Sequence, residues 1–442
     1  EMALEELLPV GSTCAKCGGT VFQKETDILD VWIDSGVSAT VVCRTSPELK
    51  PEDYGNFIYL EGSDQHRGWF HSSLLFNLAA SGDKPYDTVV THGFVLDGKG
   101  QKMSKSLGNV ITPDEIMKTL GADILRLWAA SVDYQEDIRI SKDILERNAD
   151  AYRKLRNTLR FLLGALADFD PARDAVPQDQ WASLDRWVWS AFLKLAAEVR
   201  QAYRDFDFLK ATQLLLAFCQ TELSGRYFEI LKDRLYCDAP DSPRRRSCRT
   251  ACHKLAEGLC ILIAPVLSFT ADEAWTAIPG VEGHVFEQRF PEGEPDEALL
   301  SSWERVWLLR NLLASKLEPM RASKTIGTSL DARVVLRLQA GVKEKLLSLG
   351  ESLEDLFVCS EVVLEEAAPV EMDFKQPEKA VTERFSDAGE FGFPEGYEHF
   401  TAVEPHPGTK CPRCWNHKGG AGQGEDADLC PRCWAVVQAE RA

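Results

Sequence analysis

Apolar residues in the first 120 positions come in short runs, Phe57-Ile58-Tyr59-Leu60 and Thr88-Val89-Val90, separated by a longer apolar stretch from Trp69 to Ala80. The short runs predict buried strands and the longer one a helix. Strand, helix and strand in close succession form the βαβ unit of a parallel sheet. A further strand, Thr91 to Leu96, leads into the glycine-rich turn Asp97-Gly98-Lys99-Gly100. A helix should then open at Thr112, which can cap orphan amides, with Pro113 at the first helical position and Glu115 closing a capping box. In open α/β sheets, ligands sit beyond the carboxyl ends of the strands. Glu61-Gly62-Ser63-Asp64 and His92-Gly93 both stand just past predicted strand ends, where a nucleotide would be handled.

From Ser141 the period changes. Leu145, Tyr152, Leu155, Leu159, Leu162 and Leu166 recur at helical steps and mark one amphipathic helix. Others are expected from about Leu184 to Ala202 and from about Leu209 to Leu235. Pro243-Arg244-Arg245-Arg246 reads as punctuation before a helix that runs to about Ile263 and is ended by Pro265. Thr270-Ala271-Asp272-Glu273 reads as a second capping box, opening a helix that holds Trp275. Short connections between such helices predict a bundle. Residues 281–300 are polar and read as a connection. Beyond them come a helix from Ser302 to about Ala322, a strand Ala332 to Leu338, a helix Val342 to Leu349 and a strand Leu356 to Leu364, a small α/β domain. Residues 366–400 are acidic and weakly patterned. The fold class expected is therefore α/β, followed by an α-helical bundle, a small α/β domain and a C-terminal metal-binding peptide. The divisions fall at 1–140, 141–300, 301–400 and 401–442.

A chain of 442 residues has room for about three domains of ~150 residues. Its 44% hydrophobic and 27% charged content is that of an ordinary globular protein. No apolar run approaches the ~20 residues that cross a bilayer, and no basic-then-apolar signal segment opens the sequence. A net charge of −19 does not suggest a nucleic-acid binder, but phosphate affinity depends on where cations cluster rather than on the total. Thirteen cysteines, four of them in one late array, suit a reducing cytoplasm with metal ligation better than a secreted disulfide framework.

That array is Cys411-Pro-Arg-Cys414 and Cys430-Pro-Arg-Cys433, two C-x2-C knuckles with fifteen residues between them. Four thiolates on two tight turns make the closed tetrahedral shell of structural zinc, one ion per chain. The intervening Gly419-Gly420-Ala421-Gly422 packs no core, so the metal must supply much of the order. A redox dithiol would need a βαβ context that is missing here. Cys14-Ala-Lys-Cys17 is half of a similar site, and Cys43 alone does not complete it.

Lys102-Met103-Ser104-Lys105-Ser106 carries two ammonium groups and two hydroxyls on a loop between rigid elements. Such a loop can move in, neutralise phosphate oxygens and move away. The same five residues match the second signature of class I aminoacyl-tRNA synthetases. Together with Glu61 to Phe70, Thr91-His92-Gly93-Phe94, Asp30 to Gly36 and Gly121 to Trp128, they make the chain resemble the bacterial isoleucyl-tRNA synthetases over nearly its whole length. The resemblance implies the second half of a Rossmann-type parallel-sheet catalytic domain, and ATP with magnesium, L-isoleucine and tRNA(Ile) as partners of a monomeric ligase. It further implies that Lys102, Ser104 and Lys105 act on the ATP phosphates. Glu61, Gly62, Asp64, Gln65, His92 and Gly93 would border the adenylate, and Trp32 and Trp69 would wall the isoleucine side chain. The terminal cysteines would be the zinc peptide of that family. Arg153, Arg156 and Arg160, a cationic stripe beside an apolar helix face, would track tRNA phosphate in its anticodon-binding domain. Arg244, Arg245, Arg246 and Arg249 form a second basic cluster open to the same reading. The His-Ile-Gly-His signature and the inserted editing domain of the family are missing. The chain is therefore expected to be the C-terminal part of a longer protein and, alone, to bind tRNA without catalysis. Valyl- or leucyl-specific relatives are the nearest alternatives.

Overall fold

A computed structural model describes residues 3–43, 45–48, 57–338, 340–366 and 400–441, so the acidic stretch lies outside the described residues from 367 to 399. The chain divides into two compact units, residues 1–103 with 134–139, and residues 104–133 with 140–442.

In the first unit α1 (Val31–Gly36) packs on α2 (Trp69–Ser81). β1 (Ile58–Gly62) and β2 (Thr88–His92) lie parallel with Gly62 opposite His92, so the βαβ unit is present. Its strands are not buried throughout as the apolar runs suggest. Tyr59 and Val90 are buried, whereas Ile58 and Leu60 are exposed, because the pleat sends alternate side chains to opposite faces. Tyr59 stacks on Trp69 of α2 at 4.0 Å and its hydroxyl lies 3.0 Å from Ser73 Oγ. The strand expected over Thr91 to Leu96 is broken. β2 stops at His92, and a separate β3 (Val95–Leu96) pairs in parallel with β4 (Ile138–Arg139). The break is at Gly93, whose N–H donates to the Tyr134 carbonyl at 2.9 Å while residues 134–137 pass beside it. A Cβ there would stand 2.3 Å from the Glu136 carbonyl oxygen, so only glycine fits.

The second unit opens with α3 (Pro113–Leu120), where Thr112 and Glu115 make the expected reciprocal capping box. α4 (Ala122–Ala130) follows. α5 (Lys142–Ala165) begins where Ser141 Oγ accepts from Ile144 N, and its stripe Leu145, Leu155, Leu159 and Leu162 is buried. α6 (Ser183–Arg204) comes next, then α7 (Phe208–Ala217), which runs through a π-helical stretch, Phe218–Tyr227, into α8 (Phe228–Cys237). α9 (Pro243–Ile263) contains the Pro-Arg-Arg-Arg run in its first turn instead of following it, since proline at the first helical position has no amide to lose. α10 (Ser268–Trp275) starts before Thr270, so the second capping box does not form; its amides find another partner, described below. α11 (Glu297–Ala322) starts earlier than Ser302 because Asp296 caps it, accepting from Leu299 N at 2.9 Å.

The small α/β part contains β5 (Ala332–Leu338), α12 (Ala340–Leu347), α13 (Leu353–Phe357), β6 (Glu361–Glu366) and β7 (Phe400–Pro405). The sheet order is β6-β5-β7, with β6 parallel and β7 antiparallel to β5. Leu356 and Phe357 belong to α13, not to a strand. Ser352 Oγ caps this turn by accepting from Asp355 N at 3.3 Å, and Val358 leaves it at φ 51°. A short apolar run alone cannot separate buried helix from strand. α14 (Pro431–Arg441) closes the chain. Among the described residues, no helix is long and apolar enough to cross a membrane.

Candidate nucleotide and metal sites

The residues read as an adenylate site share one rim of the first unit. Glu61 and Gly62 end β1, His92 ends β2, and the register sets Gly62 against His92. A Cβ on Gly62 would lie 3.7 Å from the His92 ring, so the imidazole sits directly beside this strand end. The chain then winds into a 3-10 turn, Ser63–Arg67. Gln65 Nε2 donates to Asp64 Oδ2 at 3.2 Å, and Gln65 Oε1 accepts from Trp69 N at 3.0 Å, capping α2. Glu61 and Asp64 are exposed at this rim. Trp69 is held in place by its Nε1, which donates to the Ser35 carbonyl at 2.9 Å, and by one ring face, which lies on Tyr59. Trp32 is 42% exposed and lies over Gly68, where a Cβ would approach its ring to 2.9 Å.

The lysine signature is more structured than a free loop. Asp97 Oδ1 accepts from Lys99 N and Gln101 N at 2.9 and 2.8 Å, and Lys102 bridges back to Leu96. Ser104 N donates to Asn109 Oδ1 at 2.9 Å, and Ser104 Oγ accepts from Leu107 N at 3.3 Å, starting a 3-10 turn over Lys105–Leu107. Gly108 ends that turn at φ 65°. Lys102 and Lys105 are both exposed. The division between the two units falls between Met103 and Ser104, so Lys102 belongs with the strand-end rim and Ser104 and Lys105 with the second unit.

Cys411, Cys414, Cys430 and Cys433 are all buried, with their sulfurs within 4.8 Å of one another. Cys414 and Cys430 Sγ stand 3.7 Å apart. Four sulfurs at ~2.3 Å from one ion would stand roughly 3.8 Å apart, so the set fits a tetrahedral metal. Two amides already point at sulfur, Cys430 N to Cys411 Sγ at 3.3 Å and Cys433 N to Cys430 Sγ at 3.5 Å. The hydrogen bond that Cys414 donates to Cys433, with burial, pushes the Cys414 thiol up to about 12, so four thiolates here call for a cation. Cys14 and Cys17 form a similar turn, with Gly18 N donating to the Cys14 carbonyl at 2.8 Å. Among the described residues the C-terminal four are the one metal-competent group.

Arg153, Arg156 and Arg160 lie exposed along α5. Arg153 pairs with Asp150, and Arg156 makes a bidentate pair with Glu273 at 2.9 and 3.1 Å. The Arg244 cluster is consumed internally. Arg244 pairs with Asp355 at 2.9 Å and Asp238 at 3.3 Å, and Arg245 donates to the Asp238 carbonyl at 3.0 Å. Arg246 donates to the Asp174 and Arg173 carbonyls at 3.2 Å, and Arg249 to the Ala165 carbonyl and Asp168.

Two sets of long-range contacts had no local signal. In Gly121-Ala-Asp-Ile-Leu-Arg126, Asp123 caps α10, accepting from Thr270 N at 2.7 Å, Thr270 Oγ1 at 2.6 Å and Phe269 N at 3.4 Å. Arg126, on the same face, donates to the Pro265 and Val266 carbonyls at 2.8 Å. One helix thus satisfies both halves of the turn between α9 and α10. The second set is that of the knuckle arginines, Arg413 and Arg432, which engage Cys237 and Asp233 at the end of α8.

The family described as tRNA synthetases class I (I, L, M and V) matches residues 3–141, and the anticodon-binding domain of tRNA ligase matches residues 185–336. The isoleucine–tRNA ligase of Geobacter sulfurreducens is 44% identical over 423 residues, 94% of this chain and 43% of that protein. That of Syntrophotalea carbinolica is 45% identical over 444 residues, 99% of this chain and 45% of that protein. The chain thus spans less than half the length of the curated relatives it matches. A crystallised LeuRS of Agrobacterium radiobacter K84, in the ternary complex LeuRS-tRNA-LeuAMS, shares the fold with a TM-score of 0.50 at 16% identity, over 81% of this chain and 44% of that one. With both domain families present and this identity sustained along almost all its residues, the chain belongs to the isoleucine–tRNA ligase family of class I aminoacyl-tRNA synthetases.

Proposed function

We propose that the chain is the C-terminal part of a cytoplasmic, monomeric isoleucine–tRNA ligase that activates L-isoleucine with ATP and passes it to tRNA(Ile). What carries this reading is the likeness to isoleucine–tRNA ligases over 94% and 99% of the chain. The rim where Gly62 faces His92, at the carboxyl ends of parallel strands, supports it. There Glu61, Gly62, Asp64, Gln65, His92 and Gly93 border the adenylate, and Trp32 and Trp69 wall the isoleucine side chain. The isoleucine carboxylate attacks the α-phosphate of ATP, which enters as its magnesium complex, and pyrophosphate leaves. Lys102 and Lys105 neutralise charge on the phosphates, with Ser104 shaping their turn, and no covalent nucleophile is needed. Residues 1–140 form the second half of the catalytic domain, 141–300 the anticodon-binding bundle, 301–400 the small α/β domain and 401–442 the zinc peptide. Arg153, Arg156 and Arg160 track tRNA phosphate. Cys411, Cys414, Cys430 and Cys433 hold one zinc, which orders the terminal peptide without touching the amino acid.

ATP–pyrophosphate exchange by the complete protein that contains this chain tests the reading. Isoleucine should drive exchange faster than valine or leucine, and Lys105→Ala should slow it ~100-fold or more. Preference for another amino acid, or exchange indifferent to Lys105→Ala, would sink it.

A further inference from the structure

One cavity lies outside every site described above. It has a volume of about 410 Å³ and opens between the first half of α11 and the end of α12. Volumes of ~300–1,000 Å³ are those of small-ligand sites. Val306, Leu309 and Leu346 form the floor, at 2%, 3% and 4% exposed. The rim carries Arg305 from α11 and Lys345 from α12, both exposed, and Ser301 stands one helical turn before Arg305 on the same face.

The charge around this opening runs against that of the whole chain. Acidic residues outnumber basic ones by 69 to 50, yet no carboxylate lines the cavity. Arg310 and Arg321, on the same helix as Arg305, pair with Glu229 and Glu318. Among the described residues Arg305 and Lys345 form no such pair. Two cations on separate elements, at one opening without a counter-ion, repel each other, and an anion between them removes that cost. A bare inorganic anion would leave the apolar floor to water. An unstacked nucleotide supplies both parts at once, a phosphate for the cations and a planar base that can lie on apolar side chains or on a guanidinium plane.

We propose that this cavity seats one unpaired nucleotide of tRNA, its phosphate on Arg305 and Lys345 and its base over Val306, Leu309 and Leu346. No residue of α5 lines it, so it is a contact separate from the Arg153 stripe. This rests on the reading that the chain binds tRNA(Ile), and the experiment separates the two. Filter binding of tRNA(Ile) to the full chain is measured over a range of salt. Wild-type chain that binds no tRNA ends that reading itself. Granted binding, Arg305→Gln with Lys345→Gln should weaken it ~10-fold at physiological salt and flatten the slope of log affinity against log salt by about 1, as expected for one phosphate. Lys316→Gln, at an exposed lysine of α11 outside the cavity, should change neither quantity. Ser301→Leu, which fills the cavity and leaves both cations, should weaken binding several-fold with the slope unchanged. The paired variant with wild-type affinity, Lys316→Gln as weak as that variant, or Ser301→Leu binding as wild type would each overturn the assignment.

Discussion

Arg234 and Asp185 are both fully buried, yet they are not each other's best partner. The Arg234 guanidinium takes Glu351 at 2.5 Å and stands 3.9 Å from Asp185. Asp185 instead accepts from Tyr227 at 2.6 Å and Ser247 at 2.5 Å. Burial pushes its carboxyl up to about 6, and Arg234 opposes that shift without cancelling it because Glu351 holds the cation more closely. The native state therefore binds the Asp185 proton more tightly than the unfolded chain does. The stability this group contributes is complete below the unfolded value of ~3.9 and is lost as pH rises through about 6. Asp185→Asn removes the titration. Compared with that variant by urea unfolding, wild type should gain roughly 1 kcal/mol on going from pH 7 to pH 5. A flat or opposite difference would show that Arg234 keeps Asp185 charged.

Helix ends are where local reading and tertiary structure part. Thr112 and Ser141 cap their own helices, and both starts are legible because cap and amide lie within three residues. α10 has its cap on another helix, 147 residues before Thr270, so Thr270 looks like a cap in the sequence but is capped itself. Asp123→Ala leaves the Thr270 and Phe269 amides and a buried hydroxyl without their acceptor. It should cost ~2–3 kcal/mol of unfolding free energy, while Asp123→Asn, which keeps one acceptor oxygen, should cost less. Equal losses in the two variants would mean that packing, not capping, is what Asp123 supplies. The same reasoning explains the Arg244 cluster. Four arginines in six positions resemble a phosphate site, but their carboxylate and carbonyl partners come from segments as distant as Asp355.

At the scale of the molecule, the terminal peptide is held by a metal-competent core and by arginine contacts to α8, not by a core of its own size. Its buried cluster is essentially Cys237, Leu429 and the four ligand cysteines, with Trp434 and Val437 packed on it. Removing the metal should therefore release residues 406–441 as a unit while α5 to α9, with their large leucine-rich core, stay folded. Hydrogen exchange before and after chelation checks this: protection should fall across the knuckles and α14 and persist in α6 and α9. Unchanged protection of the knuckles would mean that the arginine contacts alone hold the peptide.

The sequence alone settles what depends on neighbours along the chain: the stripe on α5, the Thr112 capping box, the βαβ unit, and two knuckles spaced for one metal. These follow from period, capping chemistry and ligand spacing, which are local properties. Tertiary structure decides where the long-range partners lie. It breaks the strand at Gly93 because another segment crosses there, turns a basic run into internal ion pairs and carbonyl contacts, and brings Cys237 to the four-cysteine cluster far along the chain. In each of these cases the residue type is visible in the sequence, but the group it meets becomes a neighbour only when the chain folds.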